Sequence, residues 1–208
     1  MSDAEHTRAT ALTTIKESMD RRQKDYERLD FLLKMFTERL YTGFEEAIQT
    51  VQAEGIKRVA KPRYLNHPAG GEWRRVMQIS IEDWRILIVP LVGYAWPNLK
   101  DEAMIPGSFF KESCARIAFF LMQQDDPETQ AFYDVIILLN ASWFAWGYGW
   151  PKQQDDVENT NFTILALDML ASFIKDIHLT WGTRDTTTLA KAMDPKRRAY
   201  VFGLPGDE

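Results

Sequence analysis

The stretch that decides the fold is FYDVIILLNASWFAWGYGW, residues 132–150. Residues 132–139 are crowded with aromatic and β-branched side chains, which favour a buried strand. Asn140-Ala141-Ser142 has the composition of a turn, and residues 143–150 return as a second strand. The stretch therefore predicts an antiparallel hairpin.

A helical alternative stays open for this part of the chain. Ser108 and Asp126-Pro127 are good helix starts. Short apolar runs are ambiguous by periodicity alone. If residues 107–124 and 127–146 were helices, the fold would be mostly α.

A similar hairpin precedes this stretch. Residues 73–81 alternate in character, Glu82-Asp83 can turn the chain, and residues 84–96 are rich in Ile, Val and aromatic side chains. Residues 107–114 predict a helical turn, and residues 115–123 a further strand. With the pattern at 132–150, these runs predict an antiparallel sheet of about five strands.

Two amphipathic helices flank the sheet, so the fold class is α+β. Downstream, apolar residues recur every three or four positions from Phe162 to Trp181. Upstream, a helix over residues 9–53 would be about 65 Å long and would end before Gly55. A last helical turn is predicted around residues 188–193.

The N-terminal helix has the seven-residue rhythm of a coiled-coil seam. Arg22, Gly43 and Thr50 interrupt an otherwise apolar stripe, which widens from Leu29 onward. We expect its first half to pair with a second copy and its second half to dock on the body. The predicted oligomerisation residues are Leu12, Ile15, Met19, Tyr26, Leu29, Leu33, Phe36 and Leu40.

These elements predict three parts of the chain. Residues 1–56 form the long helix, with coiled-coil and oligomerisation character. Residues 57–182 form the α+β body, and residues 183–208 form a C-terminal tail rich in Pro and Gly.

A five-residue phrase occurs twice, as GYAWP at 93–97 and GYGWP at 147–151. Each copy leads into an acidic pair, Asp101-Glu102 or Asp155-Asp156. The aromatic side chains could line a small-molecule pocket, whereas the alternative and more common role of such stripes is core packing. The ligand-binding candidates are Tyr94, Trp96, Trp143, Trp146, Tyr148 and Trp150.

A local basic segment follows the first helix. It could contact phosphates or an acidic partner, or it could be a solvated loop and strand edge. The basic-patch candidates are Lys57, Arg58, Lys61, Arg63, Arg74 and Arg75.

Motifs for catalysis and metal binding are weak. Ser108 and Lys111 match S-x-x-K without its companion elements. Cys114 could pair with His67 as nucleophile and base, but a buried structural thiol is the expected role. The three His residues have no metal-ligand spacing. We therefore expect no catalytic residue, no metal and no cofactor.

Composition points to a protein of the cytoplasm. The 208 residues carry a formal charge of −5 and one Cys, and 45% of them are hydrophobic. Such a charge does not favour nucleic acid as the main partner, and a single Cys suits a reducing compartment. Every long apolar stretch is interrupted, so no membrane span is expected.

Together these features predict a non-enzymatic interaction protein that forms a homo-oligomer through its N-terminal helix and binds a protein partner. Two alternatives remain. One is a small-molecule-sensing domain, since PAS and GAF domains share this broad order of elements as a topological analogy. The other is a nucleic-acid-associated subunit that uses the basic segment.

Overall fold

A seven-stranded antiparallel sheet forms the centre of the protein in a computed structural model that describes residues 3–68, 74–91, 114–147, 153–176 and 188–193. Each strand pairs with its neighbours in the chain, in the order β1 to β7. The elements are α1 (Asp3–Ala53), β1 (Arg63–Leu65), β2 (Val76–Ile81), β3 (Trp84–Pro90), β4 (Cys114–Met122), β5 (Ala131–Leu138), β6 (Ser142–Gly147), β7 (Gln153–Asp156), α2 (Phe162–Asp176) and α3 (Leu189–Ala192).

The predicted α+β class is confirmed, and the mostly α alternative is wrong for the described parts of residues 107–124 and 127–146. Those parts are β4, β5 and β6, because their β-branched and aromatic residues pair in ladders. The helical turn predicted at 107–114 lies outside the described residues, apart from Cys114, which begins β4.

Both predicted hairpin turns are present. Glu82 (φ 53°) lies in the turn between β2 and β3, and Ala141 (φ 67°) in the turn between β5 and β6. Gly55, with a φ of 84°, ends α1 as predicted.

The sheet has two more strands than predicted, and both lie at its edges. β1 is only three residues long and follows Pro62, which has no backbone N–H to donate. β7 has the sequence QQDD, whose residues have low strand propensity. Pairing with β2 and β6 overrides these weak local preferences.

Helices α1 and α2 cover one face of the sheet and form the main core. Phe36 on α1 lies at its centre, with its ring centroid 5.4 Å from that of Trp143 on β6 and 4.9 Å from that of Phe162 on α2. Phe173 on α2 contacts Phe132 of β5 in the same way, with ring centroids 5.4 Å apart. Edge-to-face rings of this kind pack closely, and they hold both helices to the sheet.

The opposite face of the sheet is also buried. Leu189, Ala192 and Met193, in and just after α3, pack against an apolar cluster on β2 to β5. A second cluster joins Cys114, Ile136, Leu138 and Phe144. The described strands therefore contribute side chains to two separate layers of core.

Gly43 allows α1 and α2 to cross closely. A Cβ atom at this position would lie 2.4 Å from the carbonyl oxygen of Phe162, which is backbone and cannot rotate away. The interruption of the apolar stripe at Gly43 is thus a packing requirement of the fold.

We expect Gly43→Ala to destabilise the protein by about 1–3 kcal/mol, because the methyl group forces the two helices apart. In an open helix the same change stabilises by about 0.5–1 kcal/mol. Urea unfolding monitored by circular dichroism measures the difference. Thr42→Ala is the matched control at an exposed neighbour, and a stabilised Gly43→Ala variant would contradict the close crossing.

Candidate functional site

The first half of α1 projects from the body. Every residue from 7 to 24 is exposed, and full burial begins only at Leu29. Within this projecting half, which we define as residues 7–28, Leu12 is 58% exposed, Ile15 56% and Met19 65%. Three large apolar side chains are thus displayed to solvent on a helix that its own body does not cover.

The predicted oligomerisation residues divide into two groups. Leu29, Leu33, Phe36 and Leu40 lie in the main core at 0–1% exposure, so a second copy cannot reach them. Their assignment to oligomerisation is wrong, because the sheet already covers them. Tyr26 is half-buried against the same core, and Leu12, Ile15 and Met19 are exposed.

The exposed and buried groups share one face of α1. Eighteen residues make about five complete turns of an α-helix, so residues that far apart point the same way. By this spacing Ile15 corresponds to Leu33, and Tyr26 corresponds to Phe44, another core residue. The surface that packs on the sheet therefore continues, without cover, along the projecting half.

The basic segment forms an edge of the sheet. Ala60 N–H donates to the Ser80 carbonyl at 2.8 Å, and β1 continues this pairing along β2. Lys57, Lys61 and Arg63 are exposed along it. Cations and a proline on an edge strand hinder pairing with the edge of another protein.

The other three basic candidates have contacts within the chain. Arg58 forms an ion pair with Glu82, and Arg74 with Asp30 at 2.6 Å. The Arg75 guanidinium lies 4.2 Å from the centre of the Tyr64 ring, as in a cation–π contact. All six basic-patch candidates thus lie on the β1 side of the body. Three of them, Arg58, Arg74 and Arg75, contact other side chains of the protein.

The aromatic candidates do not form one described surface. Trp143 is 3% exposed in the main core, and its indole N–H donates to the Thr160 hydroxyl at 2.6 Å. It is a core residue, so its assignment to a pocket is wrong. Trp146 pairs through its backbone with Asp134 in the sheet. Tyr94, Trp96, Tyr148 and Trp150 lie outside the described residues.

The acidic pair of the second phrase lies within a strand. Asp155 and Asp156 are in β7, opposite Trp143 and Ser142 of β6.

Sequence reasoning missed a buried ion pair in the middle of the sheet. Arg116 on β4 and Asp134 on β5 are each 1% exposed. Arg116 donates from Nε to the Asp134 Oδ1 at 2.9 Å, and its Nη2 atom lies 2.8 Å from the same oxygen as an ion-pair contact. Each is the one charged residue inside an apolar run, and opposite charges in neighbouring strands were the available signal.

Cys114 and His67 do not have the properties of a nucleophile and its base. Burial raises the pKa of the Cys114 thiol to about 12, so the thiolate is scarce at neutral pH. Burial also lowers the pKa of His67, and the positive charge of the nearby Arg74 lowers it further. A hydrogen bond with the backbone of Ala192 acts in the opposite direction and raises this pKa. The predicted structural role of Cys114 agrees with its 1% exposure.

A shallow depression lies where α1 and α2 cross. Its polar groups are partly engaged, since Arg39 donates to the Val157 carbonyl at 3.1 Å and Thr163 donates to Glu46. None of the six aromatic candidates is among the described residues that line it, so it adds nothing to the predicted aromatic pocket.

In the described parts of the chain, no three His, Cys, Asp or Glu side chains gather in a way that could hold a metal ion. No helix described there combines the length and the apolar character needed to cross a membrane.

Comparison with known proteins finds no matching family model, no similar curated protein and no similar solved structure. What the protein does must therefore be inferred from its own residues.

Breaking the buried ion pair should destabilise the protein strongly. We expect Asp134→Asn to cost about 3–5 kcal/mol in urea unfolding, because the buried Arg116 then loses the charge of the Asp134 carboxylate. The double variant Arg116→Met/Asp134→Leu should recover most of that loss. A cost below about 1 kcal/mol for Asp134→Asn would contradict a pair held away from water.

Acidification should destabilise the protein through His67. Below the ordinary His pKa of about 6.5, His67 binds a proton more readily in the unfolded chain than in the folded chain. The free energy of unfolding therefore falls as the pH drops below that value. We expect the melting temperature to fall more between pH 7.5 and 5.5 for the wild type than for His67→Gln. If thermal unfolding gave equal decreases in melting temperature for the wild type and His67→Gln, His67 would have an ordinary pKa in the folded protein.

Proposed function

We propose that this chain is a non-enzymatic assembly protein that self-associates through the projecting half of α1 and presents its body to a protein partner. The observation that supports this most directly is the exposed row Leu12, Ile15 and Met19 on the face of α1 that forms the core further along. Such a row is typical of a helix that packs on another helix.

The low intrinsic stability of the projecting half as an isolated helix favours a packing partner. Most helical stability in proteins comes from packing an apolar face, and isolated helices in water are marginal even when rich in Ala. The projecting half contains residues of low helix propensity, including Thr13, Thr14 and Ser18. A second helix along the exposed row would supply the missing packing.

The magnitudes favour reversible association. Burying the exposed part of a large apolar side chain contributes about 1–2 kcal/mol. Six such side chains in two copies contribute about 6–12 kcal/mol, against an association cost of about 4–15 kcal/mol. We therefore expect a dimer that depends on protein concentration.

Helix α2 is the surface that we propose for the protein partner. Exposed apolar patches on a protein surface often mark interaction sites. The outer side of α2 exposes Ile164 at 56% and Ile174 at 40%, with Leu167 half-buried between them, although the exposed Asp168 lies on the same side. A protein partner on this side would bury these apolar side chains.

Self-association can be tested by light scattering across a range of concentrations. The wild type should approach twice the monomer mass as its concentration rises. Ile15→Glu/Met19→Glu should remain a monomer, because two charges then lie on the apolar row.

A control variant separates the seam from general charge effects. Thr10→Glu/Thr13→Glu adds the same charge on the outward side of the same exposed helix, and it should dimerise like the wild type. A wild type that stays monomeric at every concentration would refute the proposed self-association.

A further inference from the structure

We infer that the second copy lies antiparallel to the first, with the projecting halves of the two α1 helices side by side and the two bodies at opposite ends. This inference rests on the proposed self-association and adds its geometry. It follows from where the body sits relative to the exposed row.

The body occupies the path of a parallel partner. The exposed row and the core residues Leu33, Leu40 and Phe44 share one face of α1. A helix laid along the row in the parallel sense would continue over that face beyond Leu29, where β4, β5 and α2 already pack. The same collision would occur in the other copy.

An antiparallel partner meets no such obstacle. Its N-terminus points toward the first body and ends near the place where that body begins. The projecting half, residues 7–28, is about 33 Å long, so two such segments can overlap almost completely before either reaches the other body. The body thus limits the overlap to the exposed part of the helix.

The longest overlap of this kind defines a register. It centres the pair on Glu17, so that Ile15 faces Met19 of the second copy and Leu12 faces Arg22 of the second copy. Arg8 then faces Tyr26 of the second copy. The apolar side chains occupy the middle of the interface, where water is best excluded.

Charge favours the same orientation. In a parallel pair Arg8 and Arg22 would each face the identical residue of the second copy, which places like charges in the seam. In the antiparallel pair the stem of Arg22 can lie along Leu12. The guanidinium of Arg8 can lie over the ring of Tyr26.

Disulfide cross-linking of two single-cysteine variants tests the orientation in the full chain. Arg8→Cys and Tyr26→Cys are oxidised separately and after mixing under conditions that allow subunit exchange. The antiparallel dimer predicts cross-linked product in the mixture and none in either variant alone, where identical cysteines are about 27 Å apart along the axis. Native Cys114 is 1% exposed and should not react.

Two controls accompany the experiment. The oxidised wild type reports any reaction of Cys114. A mixture of Thr10→Cys and Lys24→Cys places two cysteines level with each other in the proposed register but on the outward side of the helices, so it should not cross-link.

The outcomes separate the two proposals. A monomeric wild type in light scattering would refute self-association itself. A dimer that cross-links within Arg8→Cys alone or Tyr26→Cys alone is parallel and overturns the inference. A dimer with no cross-link in the mixture overturns it as well.

Discussion

The structure depends on a mismatch between the length of α1 and the size of the body. Helix α1 has 51 residues, and its apolar stripe begins well before the sheet can cover it. From Leu29 onward the stripe forms the centre of the main core with α2 and the strands. Before Leu29 the same face is exposed. One sequence pattern thus builds the fold and leaves a surface that the fold cannot bury.

Much of the architecture could be predicted from the sequence because local preferences and tertiary structure agree there. The hairpins around Glu82 and Ala141 combine turn residues with crowded β-branched and aromatic strands. The edge strands β1 and β7 could not be predicted, because their residues pair only through the neighbouring strands β2 and β6. Local propensity does not record such long-range pairing.

The candidate site was predicted in part, for a related reason. A seven-residue rhythm shows which face of α1 is apolar, but it does not show where the body ends, so Leu29 to Leu40 were grouped with Leu12 to Met19. Trp143 was assigned to a pocket because an aromatic stripe does not reveal which side of a strand is covered. The pairing of Arg116 with Asp134 required the register of β4 against β5. The predicted division of the chain at residues 56 and 182 stays a prediction.

The order of elements also matters during synthesis of the chain. Helix α1 leaves the ribosome first, while the strands it contacts most, β4 and β5, follow more than 60 residues after its end. During that interval the apolar face, from Leu12 to Ile48, lacks the strands that it contacts most. Neighbouring nascent chains on one messenger RNA would then present long, partly uncovered helices to each other.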